Sequence, residues 1–261
     1  MSPLTAMLLA AGRGERMRPL TDHTPKPLLK VGGKPLMQWP LEALARGRVT
    51  RVVVNTAWLG EQIPQTFGHD FSLQPSPTIR DTLSKQERVA IDYSHEGLDF
   101  GGALETAGGI VRALPSLGEV FWVLAGDVFA PDFVFSPDAV QRFAASDKLA
   151  HIWLVPNPTH NVKGDFGMAP NGLALSQAEV KYTYSTIGLY RSALFAPPFC
   201  NIAKGNPDGI KAPLAPLLRA AMAQGLVSAE MYAGDWTDVG TPERLQSLNH
   251  NLALRQAQPH P

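Results

Sequence analysis

The chain has 261 residues, and its 23 lysines and arginines balance its 23 aspartates and glutamates, so its formal net charge at pH 7 is zero. That balance provides no extended basic surface for a nucleic acid polymer or an anionic membrane. Cys200 is the single cysteine, which excludes an internal disulfide and a multi-thiolate metal site. No apolar run approaches the ~20 residues that span a bilayer, and the N-terminus lacks the basic region of a secretory signal. We therefore expect a soluble, cytoplasmic protein that is long enough to bury a full core.

The first predicted element is a short buried strand over residues 6–11, which runs directly into a Gly12-x-Gly14 turn. Glycines allow the backbone to approach a ligand closely and to point its N–H groups at an anion. The turn and the segment after it also carry four cationic side chains, namely Arg13, Arg16, Arg18 and Lys26. Cations grouped around such a turn indicate a polyphosphate site.

Two other phosphate-binding motifs do not fit this turn. Met17 stands where a dinucleotide-binding fingerprint has its third glycine, and the chain has no Gly-Lys-Ser/Thr run of the kind that ends a P-loop. A strand followed by an ordinary glycine turn with solvated arginines is the simpler alternative. The continuation through Pro19-Leu20-Thr21 and Thr24-Pro25-Lys26-Pro27 favours the phosphate site over that alternative.

Strands and helices alternate after the turn. A helix is predicted from Lys34 to Gly47 despite Pro40, then a strand over 51–55 and a helix over 59–67. This alternation predicts an α/β fold with a Rossmann-like, mostly parallel central sheet and helices on both of its faces. Ligands of such sheets bind outside the carboxyl ends of the strands, where the glycine turn lies.

The rest of the chain is predicted to complete a single domain over residues 1–255, followed by a flexible tail over 256–261. Residues 69–88 interrupt the alternation with a polar run, which is more typical of a surface insertion than of a lid. Extended runs flank Pro170-Asn171-Gly172, and another covers 180–190. These runs predict antiparallel strands added beside the parallel sheet.

The stretch from Leu8 to Thr21, together with Pro25-Lys26-Pro27, resembles the signature of the sugar-1-phosphate nucleotidylyltransferases, also called NDP-sugar pyrophosphorylases. The resemblance implies that a sugar 1-phosphate attacks the α-phosphate of a nucleoside triphosphate and that pyrophosphate leaves. It also implies that Arg16 favours the departure of pyrophosphate and that Lys26 bridges the α-phosphate and the sugar phosphate. The nucleotide-binding residues implied in this way are Ala10, Ala11, Gly12, Gly14, Glu15, Arg16, Lys26 and Gly102.

A near-continuous apolar strand stops at Asp127, an acid that can hold Mg²⁺ against phosphate oxygens or serve only as a turn residue. The resemblance implies that Asp127 and Asp238, the latter in Trp236-Thr237-Asp238-Val239-Gly240, are the two protein ligands of a Mg²⁺ cofactor. The chain departs from the family at Ala125, where asparagine is usual. That departure is the one feature that favours a non-catalytic regulator which binds nucleotides or sugar phosphates.

The acceptor side is assigned from three further motifs. Glu105-Thr106-Ala107-Gly108-Gly109 opens a predicted helix, where capping and close packing alone are one explanation, whereas the family resemblance favours a floor for base and sugar. Lys211 is predicted near the positive end of a helix that begins at Ile210. The sugar-phosphate-binding residues on this basis are Glu105, Thr106, Asp165 and Lys211, and the antiparallel part of the fold is expected to form the sugar wall.

Within the family, the segments 14–21, 55–60, 164–166 and 211–218 are most similar to members that use N-acetylmuramate 1-phosphate and UTP in peptidoglycan recycling. Mannose 1-phosphate with GTP, and glucose 1-phosphate with dTTP or UTP, are the alternative substrate pairs. The glycines and alanine between 164 and 169 are compatible with room for a lactyl carboxylate and an N-acetyl group.

Overall fold

The computed structural model describes residues 3–73 and 88–257, so most of the predicted insertion at 69–88 and the last four residues of the predicted tail lie outside the described residues. The strands are β1 Thr5–Leu9, β2 Lys30–Val31, β3 Lys34–Pro35, β4 Arg51–Thr56, β5 Asp70–Ser72, β6 Arg88–His95, β7 Val120–Ala125, β8 Val128–Phe129, β9 Ala150–Val155, β10 Gly167–Met168, β11 Ala174–Leu175, β12 Thr183–Arg191, β13 Val227–Met231 and β14 Thr237–Asp238. The helices are α1 Gln38–Arg46, α2 Gln62–Phe67, α3 Glu96–Phe100, α4 Glu105–Ala113, α5 Pro137–Ala144, α6 Leu214–Met222 and α7 Pro242–Ala257. In the described ranges, no helix combines the length and the apolar character needed to cross a membrane.

Eight strands form the central sheet in the order β13-β9-β12-β7-β1-β4-β6-β5. β1 pairs in parallel with both β4 and β7, and parallel pairing continues from β4 to β6. β13 also pairs in parallel with β9, whereas β12 and β5 run antiparallel to their neighbours. The predicted Rossmann-like, mostly parallel sheet is therefore confirmed.

Helices cover both faces of the sheet because successive residues of its strands point to opposite sides. Along β1, Met7 packs in the core shared with α4 and α6, whereas Ala6 and Leu8 pack in the core shared with α1 and α5. Trp122 of β7 is fully buried in the second of these cores. Burial on both faces explains why these strands are continuous apolar runs in the sequence.

The first helix begins later than predicted. Lys34–Pro35 is not helical, because it pairs with Lys30–Val31 in the short antiparallel hairpin β2-β3. The helix α1 begins at Gln38, which places Pro40 in its first turn. Proline is tolerated there because the N–H groups of the first turn have no partner within the helix.

The antiparallel elements lie partly where they were not expected. The hairpin β10-β11 forms around Pro170-Asn171-Gly172 as predicted, with Gly172 at a φ of 79°. The run over 180–190 contains β12, which is inserted between β7 and β9 in the central sheet rather than added beside it. The pairing of β12 with β9 shifts register between Tyr184 and Gly188. This irregular stretch of β12 faces the cleft described below.

Candidate active site

A cleft of about 850 Å³ opens at the carboxyl ends of three parallel strands, where Leu9 of β1, Asn55 of β4 and Ala125 of β7 border it. Ten of the fourteen predicted site residues also border the cleft, namely Ala10, Ala11, Gly12, Gly14, Glu15, Arg16, Lys26, Glu105, Thr106 and Asp127. The other four are Gly102, Asp165, Lys211 and Asp238, each of which lies within two positions of a residue that borders the cleft. The fold therefore brings residues from across the chain to one edge of the sheet.

The glycine turn after β1 forms one wall of the cleft. Gly14 has a φ of 67°, in the left-handed region that favours glycine. A Cβ atom at this position would also lie 3.1 Å from Cγ2 of Thr21 and 3.4 Å from Cβ of Lys26. The 3-10 turn that follows buries Met17 and leaves Arg16 exposed at the cleft. Backbone conformation and close packing both require the second glycine, and Met17 anchors the turn to the core.

Two of the four cationic side chains expected around the polyphosphate, Arg13 and Arg18, form contacts within the loop instead. Arg13 donates to the carbonyl of Thr21 at 2.9 Å and to Asp22 at 3.2 Å, and its guanidinium lies 3.7 Å from the ring centroid of Trp58. Arg18 donates to the same Asp22 carboxylate at 2.8 Å. These arginines brace the loop from outside, so Arg16 and Lys26 are the cations of this group that border the cleft. The sequence expectation was wrong for Arg13 and Arg18.

Lys26 and Asp127 form an ion pair between Nζ and Oδ2 at the cleft. Their side chains are 11% and 34% exposed, respectively, so the pair is only partly screened by solvent. Lys26 begins the 3-10 turn after the glycine loop, and Asp127 follows β7. The pair places a compact positive charge and a carboxylate side by side at the point where phosphate groups would enter.

Asp238 is brought next to Asp127 by the pairing of β14 with β8. The backbone N–H of Val239 donates to the carbonyl of Asp127 at 2.9 Å, so Asp238, at the end of β14, lies next to Asp127, which directly precedes β8. Oδ1 of Asp238 forms an ion pair with Arg244 and lies 2.9 Å from Nε2 of His160. Sequence reasoning missed Arg244 and His160, because neither belongs to a recognisable motif.

A buried polar network fixes the base of the cleft. Asn55 accepts a hydrogen bond from the backbone N–H of Ala10 at 2.8 Å and donates to Oε1 of Glu96 at 2.8 Å. The other oxygen of Glu96 accepts from the N–H of Leu104 at 2.7 Å. Glu96 is fully buried, and burial raises the pKa of its carboxyl, while the N–H donors act in the opposite direction. Polar residues at the ends of apolar strands were the sequence signal that could have identified this network.

We expect Asn55→Ala to lower the free energy of unfolding by about 3 kcal/mol, because it leaves the Ala10 N–H and Oε1 of Glu96 without a partner, and each unpaired buried group costs about 1–3 kcal/mol. Urea unfolding followed by circular dichroism measures the loss. Asn249→Ala is the matched control, because Asn249 also accepts from one backbone N–H at 2.8 Å and donates to one backbone carbonyl at 3.1 Å, but at the surface. We expect that control to lose less than about 1 kcal/mol. Equal losses in the two variants would contradict the role given to the buried network.

The N-terminus of α4 borders the cleft through Glu105 and Thr106. Glu105 has a φ of 59°, a left-handed conformation that residues other than glycine seldom adopt and that is typical of functional sites. Gly102 does not border the cleft. Gly108 serves close packing, because a Cβ atom there would lie 2.5 Å from the carbonyl oxygen of Ile210. Close packing is therefore confirmed for Gly108, the N-cap of α4 is Leu104 without a side-chain capping hydrogen bond, and the role of the motif as a floor for base and sugar stays a prediction.

The other two residues predicted to bind the sugar phosphate do not border the cleft themselves. Oδ2 of Asp165 accepts from the backbone N–H of Tyr184 at 2.9 Å and from Nδ2 of Asn161 at 3.2 Å, so it joins β12 to the loop that precedes β10. Lys211 is exposed and precedes α6, which begins at Leu214. The predicted helix start at Ile210 was wrong, because α6 begins at Leu214 with Pro213 as its N-cap, so Lys211 lies just before the positive end of the helix rather than within it.

Phe166, Tyr184 and Thr186 form another wall of the cleft. Burial raises the pKa of Tyr184, whose hydroxyl lies 2.6 Å from that of Tyr190. Thr186 has a φ of 62°, and its buried hydroxyl has no hydrogen-bond partner among the described residues. β-branched residues are genuine outliers in this conformation. Thr186 was not singled out in the sequence, because its conformation depends on the irregular pairing of β12 with β9, which is distant in the chain.

The small residues after position 163 serve packing rather than space for a ligand. A Cβ atom on Gly164 would lie 2.7 Å from the backbone carbon of Lys181, and Gly164 has a φ of 63°. A Cβ atom on Gly167 would lie 2.2 Å from that of Ala178. The suggestion that these glycines make room for a bulky sugar therefore has no support in the structure.

The cleft combines a glycine turn and a lysine with two neighbouring acids, Asp127 and Asp238, at the carboxyl edge of a parallel sheet. This combination defines a site suited to the phosphates of a nucleotide. The model of the nucleotidyl transferase family matches residues 5–254. Because this match spans nearly the whole chain, the chain belongs to the nucleotidyl transferase family.

Two curated relatives with the same name are similar to the chain over nearly its whole length. The chain is 42% identical over 247 residues to the N-acetylmuramate alpha-1-phosphate uridylyltransferase of Neisseria meningitidis serogroup B, which covers 93% of this chain and 96% of the relative. It is 29% identical to the Caulobacter vibrioides protein of the same name, over 97% of this chain and 98% of that one. Among solved structures, a Bacillus anthracis protein described as a glucose-1-phosphate thymidylyltransferase, in complex with sucrose, superposes with a TM-score of 0.72 at 19% identity. That superposition covers 99% of this chain and 97% of the other, and it supports the fold alone.

Proposed function

We propose that this nucleotidyltransferase condenses N-acetylmuramate 1-phosphate with UTP to give UDP-N-acetylmuramate and pyrophosphate, in the cytoplasm and as a step of peptidoglycan recycling. The observation that carries the proposal is the 42% identity to the Neisseria uridylyltransferase across 93% of the chain. The cleft adds chemical support, because it combines a glycine turn for phosphates with Lys26 and Asp127 at its centre. A regulator without turnover would have no need of this lysine and acid together.

The reaction requires alignment and charge neutralisation more than a covalent partner, so we assign no nucleophilic side chain. The N–H groups of the turn from Gly12 to Arg16 would hold the triphosphate. Lys26 would contact the α-phosphate and the incoming sugar phosphate, and Arg16 would contact the pyrophosphate end. Both Lys26 and Arg16 would thereby place positive charge where negative charge develops during phosphoryl transfer.

The two acids fit a Mg²⁺ ion as its protein ligands. Asp127, directly before β8, and Asp238, on the paired strand β14, supply hard carboxylate oxygens, and Mg²⁺ is commonly held by one or two carboxylates with the remaining ligands from phosphates and water. The residues that the structure describes include no cluster of three or more His, Cys, Asp or Glu suited to a metal, so the proposed ion would depend on substrate phosphates and water for its remaining ligands. When bound, the ion would supply Lewis-acid polarisation of the phosphoryl oxygens and would draw the two reactants together.

The substrate pair is tested by a pyrophosphate-release screen of nucleoside triphosphates against sugar 1-phosphates. We expect N-acetylmuramate 1-phosphate with UTP to exceed glucose 1-phosphate and mannose 1-phosphate in kcat/KM by at least about 100-fold, because hydrogen-bonding groups left unpaired by a wrong substrate can reduce kcat/KM by up to about 10⁴-fold. If mannose 1-phosphate with GTP is the best pair, the substrate assignment is wrong and the family assignment remains. No release with any pair would contradict the proposed reaction.

A further inference from the structure

Arg244 lies in the first turn of α7, outside every motif identified in the sequence, yet its guanidinium lies beside Gly240, which borders the cleft. Nη1 forms an ion pair with Oδ1 of Asp238 and also lies 3.2 Å from the backbone oxygen of Asp238 and 2.9 Å from Nε2 of His160. The side chain is 19% exposed. A cation is therefore held in a defined, largely buried position beside a predicted metal ligand.

The same guanidinium lies beside Arg16 across Gly240. A Cβ atom on Gly240, which borders the cleft, would lie 2.3 Å from Nη2 of Arg244 and 3.3 Å from Nη2 of Arg16. Any other residue at position 240 would therefore displace Arg244. Two guanidinium groups held this close repel each other, and an anion bound between them relieves the repulsion. The absence of a side chain on Gly240 therefore allows the guanidinium of Arg244 to lie close to that of Arg16, so that one anion can contact both.

The counter-charge of Arg244 is shared with other groups. Nε2 of His160 lies 2.9 Å from Oδ1 of Asp238 and 2.9 Å from Nη1 of Arg244. One ring nitrogen cannot donate to the carboxylate and accept from the guanidinium at the same time, so the three groups do not form a fully satisfied network. A divalent cation on Asp238 would take the carboxylate away from Arg244. The guanidinium would then be left beside Arg16 without its counter-charge.

We propose that Arg244 binds the pyrophosphate end of the nucleotide together with Arg16, contacting the β- and γ-phosphates of the bound triphosphate and then the departing pyrophosphate. A guanidinium suits this role because its planar donors match phosphate oxygens in bidentate contacts. Divalent cation binding at Asp238 frees Arg244 for the phosphates, so metal and pyrophosphate sites become coupled. This inference rests on the proposed reaction.

The test compares Arg244→Ala and Arg244→Lys with the control Arg255→Ala. Arg255 lies on the same helix and forms an ion pair with Asp235, but it does not border the cleft.

Two binding measurements are made. Binding of inorganic pyrophosphate at saturating Mg²⁺ is measured by calorimetry, and binding of Mn²⁺ to the free protein is measured by electron paramagnetic resonance. In Arg244→Ala we expect pyrophosphate to bind at least about tenfold more weakly, as the loss of a charged hydrogen bond predicts. We expect Mn²⁺ to bind a few-fold more tightly, because Asp238 is no longer paired.

The direction of the Mn²⁺ change separates this inference from a structural role. If Arg244 only positions Asp238, Arg244→Ala weakens Mn²⁺ binding, and that result overturns the proposal. Unchanged pyrophosphate affinity in both variants also overturns it. Arg244→Lys keeps the charge beside Asp238 but loses the planar donors, so we expect it to bind pyrophosphate more weakly without a gain in Mn²⁺ affinity, and this keeps the proposal testable if the alanine variant does not fold. Should the wild-type chain show no turnover in the substrate screen while Arg244→Ala still loses pyrophosphate affinity, the proposed reaction fails and the anion site stands.

Discussion

Asp127→Asn is expected to reduce turnover by at least about 1,000-fold while leaving the fold intact. A bound metal ion contributes several kcal/mol of transition-state stabilisation, and each 1.36 kcal/mol is a factor of ten in rate. The amide keeps the size of the side chain but is a weaker ligand for a hard cation. The backbone contact from Val239 is retained, because it involves only the carbonyl of residue 127. Pyrophosphate release across a Mg²⁺ titration measures the loss, and thermal melting reports the fold.

Asp147→Asn is the matched control for this variant. Asp147 also forms an ion pair with a lysine, Lys148, but lies away from the cleft, with its side chain 76% exposed. We expect the control to keep full turnover, since exposed ion pairs contribute about 0–1 kcal/mol. Asp238→Asn should reproduce the loss seen with Asp127→Asn. Full activity in either of the two cleft variants would contradict the shared-metal proposal.

Most of the central sheet and the glycine turn could be predicted because their signals are local. The run before Gly12 is too short and too apolar for a surface helix, and its residues are buried on both faces of the sheet as expected. The second glycine is required by its own φ and by close neighbours. Proline, by contrast, is compatible with both a turn and a first helical turn. The sequence around Pro40 therefore allowed the start of α1 to be placed four residues too early.

Contacts between distant segments account for what the sequence did not show. Asn55 and Glu96 are 41 positions apart, and their hydrogen bond exists only because β4 and β6 are neighbours. Arg13 and Arg16 are indistinguishable in the sequence, yet Trp58 and Asp22 hold the first outside the cleft. Periodicity and spacing identify elements, whereas the direction in which a surface arginine points depends on which segments pack around it.

Lys26→Ala is expected to lower kcat by about 100- to 1,000-fold with little change in the KM for UTP. A charge that contacts the transferring phosphoryl group acts most strongly in the transition state, and removal of one such preorganised group typically costs a factor of about 10² to 10³. The Lys26 side chain is only 11% exposed, so in Lys26→Ala a cation from the solvent cannot easily take the place of the missing ammonium group. Steady-state kinetics with each substrate varied in turn measures the two parameters separately.

Two comparisons make the Lys26 result specific. Because Lys26 is paired with Asp127, its removal should leave Mn²⁺ affinity unchanged or higher, in contrast to Asp127→Asn, which should lower it. Lys34→Ala removes another lysine ion pair, with Glu42, and should leave kcat unchanged, because neither partner borders the cleft. A loss seen only as a raised KM would mean that Lys26 binds the ground state and transition state equally. In that case the positive charge that stabilises phosphoryl transfer must come from Arg16 and the metal instead.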